Sequence, residues 1–180
     1  MPADLTPAEQ EVLTKIARQI RGLRDFLNNS QLPHDASRLN DWYSFLESAK
    51  AILGNFNNDV SFVATLLAKV YLVGKHPGLE FNAAAKSQSA PGLDIDVSTR
   101  DGKRVIGEVK TVDPYQLKDF GAQQLSSLKK DFAKLSTASA DQKYLFLTEI
   151  RAFELVKAKY QKSLAGVTVV CLADGKKLVL

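Results

Sequence analysis

The stretch GLDIDVSTRDGKRVIGEVKTVDP, residues 92–114, holds Asp94, Asp96 and Glu108, with Lys110 two positions past the last of them. Converging carboxylates repel one another unless one is protonated or a cation sits between them. Oxygen ligands of this kind suit Mg²⁺ or Mn²⁺, which take one or two carboxylates, a backbone carbonyl such as that of Val109, and several waters. Lysine is too cationic to be a ligand. Beside a metal, Lys110 could orient an attacking water, share in its deprotonation or hold a substrate phosphate. These side chains therefore contain the parts for metal-assisted phosphodiester hydrolysis, provided that the backbone turns them to one point.

Side chains two apart in a strand point the same way, so Asp94 and Asp96 share a face, as do Glu108 and Lys110. Leu93, Ile95 and Val97 alternate with the acids, Arg100-Asp101-Gly102-Lys103 reads as a turn, and Arg104 to Val112 as the returning strand. The turn decides whether the two faces coincide. A two-residue turn at Asp101-Gly102 pairs Thr99 with Arg104 and sets Glu108 opposite Ile95, mixing acidic and apolar chains on one side. A three-residue loop, Arg100-Asp101-Gly102 with a left-handed glycine, pairs Thr99 with Lys103 and sets Glu108 opposite Asp94. A slip by one pair would put Asp96 in the place of Asp94.

The elements around the hairpin follow from periodicity. Thr6-Pro7-Ala8-Glu9 has the form of a capping box, and Val12, Ile16, Ile20, Leu23 and Leu27 follow at helical spacing. A second helix is expected from Ser37 or Asn40 to Leu53, stopped by Gly54, and a third from Asp59 to Val73. After His76-Pro77-Gly78 the period becomes 2, which predicts a short strand over Leu79 to Asn82. Beyond the hairpin, Asp113-Pro114 opens a long helix to Leu135, followed by a strand over Lys143 to Thr148, a helix over Arg151 to Ser163 and a last strand over Val167 to Leu172. This order predicts the α/β class: a mixed β-sheet flanked by helices, parallel where helical crossovers intervene. At 180 residues the chain is expected to be a single domain, with an N-terminal helical extension over 1–56 packed on a core over 57–180.

Pro91-Gly92-Leu93-Asp94-Ile95 followed by Glu108-Val109-Lys110 resembles the bipartite signature of the PD-(D/E)xK nuclease superfamily, which includes restriction endonucleases, Holliday-junction resolvases and repair nucleases. The order helix, three strands, helix, strand is similar to that family's core, so the likeness covers roughly residues 57–172. The resemblance implies a restriction-endonuclease-like fold and a divalent-metal-dependent DNA endonuclease, with Asp94 and Glu108 as metal ligands, Lys110 assisting the nucleophilic water and Asp96 as an auxiliary acid. Many members carry a further acidic residue ahead of the sheet, where this chain offers Asp59 and Glu80. Some reach the active site with a glutamine from the helix after the lysine strand, so Gln123 or Gln124 would bind phosphate or water there. Lys118, Lys129, Lys130 and Lys134 of the same segment would track a nucleic-acid backbone. A nucleic-acid-binding or assembly subunit that keeps this fold without cleaving is the alternative.

Composition narrows the remaining classes. With 45% hydrophobic and 24% charged residues the chain has the balance of a globular protein. Residues 1–60 carry six Lys/Arg against eight Asp/Glu and residues 61–180 eighteen against twelve, so the part with the acidic hairpin is also the basic part, which suits a polyanionic partner. No apolar run suits a bilayer and no secretory leader pattern opens the chain, so a cytoplasmic protein without a membrane partner is expected. The one cysteine, Cys171, lies in an apolar strand and reads as core, and His34 and His76 lack partners at zinc-ligand spacing. No nucleophile elbow or glycine-rich phosphate loop is present. An exposed remainder of the Trp42, Tyr43, Phe45 and Leu46 cluster would suit a homodimer contact.

Overall fold

The computed structural model describes residues 4–87, 90–116 and 118–180. The described residues form two compact units, one over Leu5–Asp59 and one over Val60–Leu180 that Asp4 also joins.

The first unit is helical. Helix α1 spans Pro7–Asn29 and starts where expected, because Thr6 Oγ1 accepts the Glu9 amide at 3.2 Å while Glu9 Oε2 accepts the Thr6 amide at 2.8 Å. Helix α2 spans Leu39–Leu53 and stops at Gly54, whose φ of 60° lies in the region open to glycine. The two helices are pinned by the Gln19 side-chain amide, which donates to the Leu53 carbonyl at 2.7 Å, and by the Phe26 and Phe45 rings, 5.0 Å apart.

Helix α3, Phe56–Lys75, runs from the end of the first unit into the second. The second unit is built on one five-stranded mixed sheet of β1 (Ile95–Ser98), β2 (Arg104–Lys110), β3 (Gln142–Leu147), β4 (Thr168–Cys171) and β5 (Lys177–Val179), adjacent in that order. The β1–β2 and β4–β5 pairs are antiparallel hairpins. The two central pairs are parallel, because α4 (Ala122–Thr137) and α5 (Ile150–Lys159) carry the chain back between them. Two like-handed crossovers stepping the same way across a sheet must cover the same face. Accordingly Ile106, Leu145, Leu147, Val169 and Cys171 lie under Leu128, Phe132 and Leu135 of α4 and Phe153 and Val156 of α5. On the other face Tyr71 of α3 meets Tyr144 and Phe146 edge-on, with centroids 6.0 and 5.6 Å away. Gly107 eases the packing there, since a Cβ on it would stand 3.3 Å from the Phe146 ring, a tight contact, and 3.4 Å from both Ile95 Cδ1 and the Tyr144 carbonyl.

Three elements differ from the sequence expectation. Leu79–Asn82 is not a strand: Leu79, Phe81 and Ala83 are buried and Glu80 and Asn82 exposed, so the alternation is real, but among the described residues no strand pairs with it. Helix α4 begins at Ala122 rather than near Pro114. The chain between β2 and α4 is instead irregular, with Pro114 buried and Gln124 closing the helix start by accepting the Gly121 amide at 3.0 Å and donating to the Asp113 carbonyl at 2.8 Å. Strand β5 was not foreseen, being three residues long and mostly exposed, and it follows a tight turn with Gly175 at φ +73°. Among the described residues no helix is long and apolar enough to cross a membrane.

Candidate active site

The hairpin turn sets the site. Its loop is the three-residue one: Thr99 donates its amide to the Lys103 carbonyl at 2.9 Å, and Gly102 takes φ +81°. The ladder then pairs Ile95 with Gly107 and Asp96 with Ile106, and continuing it by one step sets Asp94 opposite Glu108. Asp94 Oδ2 accepts the Val109 amide at 2.9 Å, which fixes that carboxylate at the end of β1. Asp94, Glu108 and Lys110 thus share the face of the sheet that α4 covers.

Glu108 is only 1% exposed. Burial, then the charge of Asp94, a hydrogen bond shared with the Asp94 carboxyl, and the charge of Asp131 push its pKa up to about 8, against the pull of Lys134. The register itself sets the Asp94 and Glu108 side chains next to each other across the hairpin.

Helix α4 contributes two residues that complete the cluster. It runs antiparallel to β2, so Lys134 stands over Glu108 while Asp131, one turn earlier, stands over Lys110. Lys134 Nζ donates to Glu108 Oε1 at 3.0 Å, to Asp131 Oδ1 at 3.0 Å and to the Gly92 carbonyl at 3.1 Å. Lys110 Nζ lies 2.6 Å from Asp131 Oδ2, a close ion pair whose angle is not that of a directed hydrogen bond, since that oxygen counts no hydrogen-bond partner. Burial works against the Lys134 ammonium, yet the hydrogen bonds and charges of Asp131 and Glu108 outweigh it and hold its pKa above the ordinary lysine value. The shifts of Glu108 and Lys134 pull against each other, because the lysine gains from an ionised Glu108 that burial disfavours. The protonated form of Glu108 prevails, because burial disfavours its charge and Asp131 already supplies the lysine with an anion.

Asp96 lies on the same face but is drawn away from the cluster. Arg104 grips it with two hydrogen bonds, Nε to Oδ1 at 2.9 Å and Nη2 to Oδ2 at 2.7 Å. Gln123 lines a pocket of about 250 Å³ beside Lys110, together with Val112, Tyr115 and Ser127. Gln124 lines it too, but its amide is spent on the helix start. Lys118 is exposed in the irregular segment before α4, and Glu80 is exposed with no hydrogen bond or ion pair to the cluster among the described residues. Of the other residues considered, Cys171 is buried in the core, and His76 joins the aromatic face through a 3.1 Å contact with Tyr144 Oη.

No protein-family model matches the chain, and no curated protein matches it. The function must be argued from the cluster itself. Among the described residues no group of three or more His, Cys, Asp or Glu side chains is gathered as a metal-binding set. The donor pair Asp94–Glu108 nevertheless fits a hard divalent ion. Two neighbouring carboxyls, one of them kept protonated chiefly by its burial, would be relieved by a cation that replaces the proton.

Asp131 is what sequence reasoning missed. Its signal was present: in α4 the apolar stripe Leu128, Phe132, Leu135 leaves position 131 on the same buried side, where an aspartate needs a cationic partner.

Proposed function

We propose that this chain is a divalent-metal-dependent nuclease of the PD-(D/E)xK type, with a restriction-endonuclease-like core, that hydrolyses phosphodiester bonds of DNA. The observation that supports this reading is the meeting of Asp94 with Glu108 across the hairpin, with Lys110 next along the same face. Asp94 and Glu108 would hold Mg²⁺ or Mn²⁺, with the Val109 carbonyl and waters completing the set. The ion would supply positive charge at the phosphate and make water more acidic.

The rest falls to the chain. Lys110, with its side chain 22% exposed, lines the pocket shared with Gln123 and Tyr115, where its ammonium could donate to an attacking water or a phosphate oxygen. Asp131 holds Lys110 there through their 2.6 Å ion pair. Asp94 is held in turn by the Val109 amide, so the acid that faces Glu108 does not depend on the substrate for its position. Exposed Lys118, Lys129 and Lys130 would meet the nucleic-acid backbone.

Incubation of DNA with the parent, Glu108→Ala and Lys110→Ala proteins in Mg²⁺ or Mn²⁺ tests the proposal. Cleavage by the parent and loss of at least about 100-fold in each variant are expected. Equal activity in all three would refute it.

One observation favours a second reading, a non-cleaving nucleic-acid-binding subunit of the same fold. Lys134 already places a cation between Glu108 and Asp131, so the cluster balances its charge without a metal. Strongly salt-dependent DNA binding by a protein that gives no Mn²⁺ binding heat would select that reading.

A further inference from the structure

The Lys134 ammonium has three donors and meets three oxygens, each from a different element: Glu108 Oε1 on β2, Asp131 Oδ1 on α4 and the Gly92 carbonyl in the loop before β1. An ordinary helix-surface pair with Asp131 three residues earlier does not account for this, since two of the three oxygens lie outside the helix and the Glu108 side chain is 1% exposed. The lysine's own side chain is 41% exposed, so its stem lies along the surface while its head enters the acidic cluster. That is a cation cradle filled from the edge by a tethered cation that can leave.

We propose that Lys134 is an internal counter-cation of the metal-free site, which a divalent ion displaces from Glu108, the ammonium then swinging outward. The proposal rests on the metal-dependent reading above and adds a residue to it. Two consequences follow from charge alone. A divalent ion seated at Asp94 and Glu108 must take an oxygen that the lysine now holds, and it must bear the repulsion of an ammonium nearby. Removing the lysine therefore strengthens metal binding, the opposite of what loss of a merely structural contact would do.

Calorimetric titration of Mn²⁺ into the full chain tests this with the parent, Lys134→Met and Glu108→Gln. Methionine keeps the apolar stem, and Asp131 retains Lys110 as its partner, so the variant is expected to fold, as circular dichroism will show. The expected result is a Kd about tenfold or more lower in Lys134→Met than in the parent, and weak or no binding in Glu108→Gln. Equal or weaker binding in Lys134→Met overturns the displacement while leaving the metal site standing. No binding in parent and variant alike overturns the metal-dependent reading as well. A second measurement needs no variant: in the parent, magnetic resonance of the lysine ammonium groups should show one slowly exchanging NH₃⁺ that is lost on adding Mg²⁺ but not on adding an equal ionic strength of KCl. An ammonium signal indifferent to Mg²⁺ counts against the proposal even where Lys134→Met does not fold.

Discussion

Replacing Glu108 by glutamine should flatten a pH dependence of stability that the buried acid imposes on the metal-free protein. In the folded chain the carboxyl keeps its proton up to about 8, through burial and the nearby charge of Asp94, whereas its ordinary value is 4.5. Between those values the folded state binds more protons than the unfolded one. Stability is then fully present below 4.5 and is lost as pH rises through the folded value. The slope approaches about 1.4 kcal/mol per pH unit, which integrates to a loss of about 2 kcal/mol between pH 6 and pH 8. Such a loss is a sizeable part of the 5–15 kcal/mol typical of a domain. The assay is urea denaturation at a series of pH values with a chelator present. It is followed by far-ultraviolet circular dichroism, because the one tryptophan, Trp42, lies in the helical unit and would report on that unit alone. Asp96, Asp101, Asp119 and Asp174, all held below the ordinary carboxylate range, and His76, lowered by burial, also contribute pH terms. The aspartates act at lower pH and His76 up to about its ordinary value of 6.5, and all of them cancel in the difference between parent and variant. Parallel curves for the two proteins would refute the burial argument, and with it the contact between Asp94 and Glu108.

Because Arg104 holds Asp96 by both oxygens at the exposed end of the hairpin, Asp96→Asn is expected to keep nuclease activity within a fewfold of the parent, whereas Asp94→Asn should abolish it; the reverse order in a cleavage assay would reassign the ligand. Asp131→Asn removes the anion shared by two lysines, which are exposed enough to reach water, so the cost should be about 1–3 kcal/mol by urea denaturation. Since the charge of Asp131 also raises the Glu108 pKa, the stability fall should move to lower pH in this variant, and an unmoved midpoint would argue against their proximity. Gly107→Val would push a branched side chain against Phe146 and Ile95, and about 1–3 kcal/mol of destabilisation is expected, with no loss indicating that the aromatic face is looser than its distances imply.

The parts of the fold that were legible are those where one local rule decides. Alternation of Leu93, Ile95 and Val97 with Asp94 and Asp96 required a half-buried strand, and keeping acidic and apolar side chains on separate faces favoured the three-residue loop that brings Asp94 to Glu108. The capping box at Thr6 and Glu9 fixed a helix start because both partners lie within four residues. Where the outcome depends on distant partners, local reading failed. Leu79–Asn82 has the period of a strand but finds no ladder, and Pro114 looks like a helix start until Gln124 is seen to cap the chain at Gly121. Asp131 and Lys134, three residues apart, look like a surface pair. Only the packing of α4 against β2 turns that pair into the lid of an acidic cluster.

The charge of that cluster links its structure to the proposed chemistry. Counting Asp94 and Asp131 as carboxylates and Lys110 and Lys134 as ammonium groups, the site is neutral when Glu108 holds its proton, which is how the fold tolerates so many ionisable groups with Glu108 and Asp131 buried. On the proposed reading, exchanging that proton for a divalent ion while the Lys134 ammonium swings outward keeps the charge balanced, the ion's two positive charges taking the place of the proton's and the lysine's. The protonated acid and the filled lysine cradle would then be two sides of one device: a pocket that balances its charge at rest with a proton and an ammonium, and that would balance it with a single ion in the proposed metal-bound state.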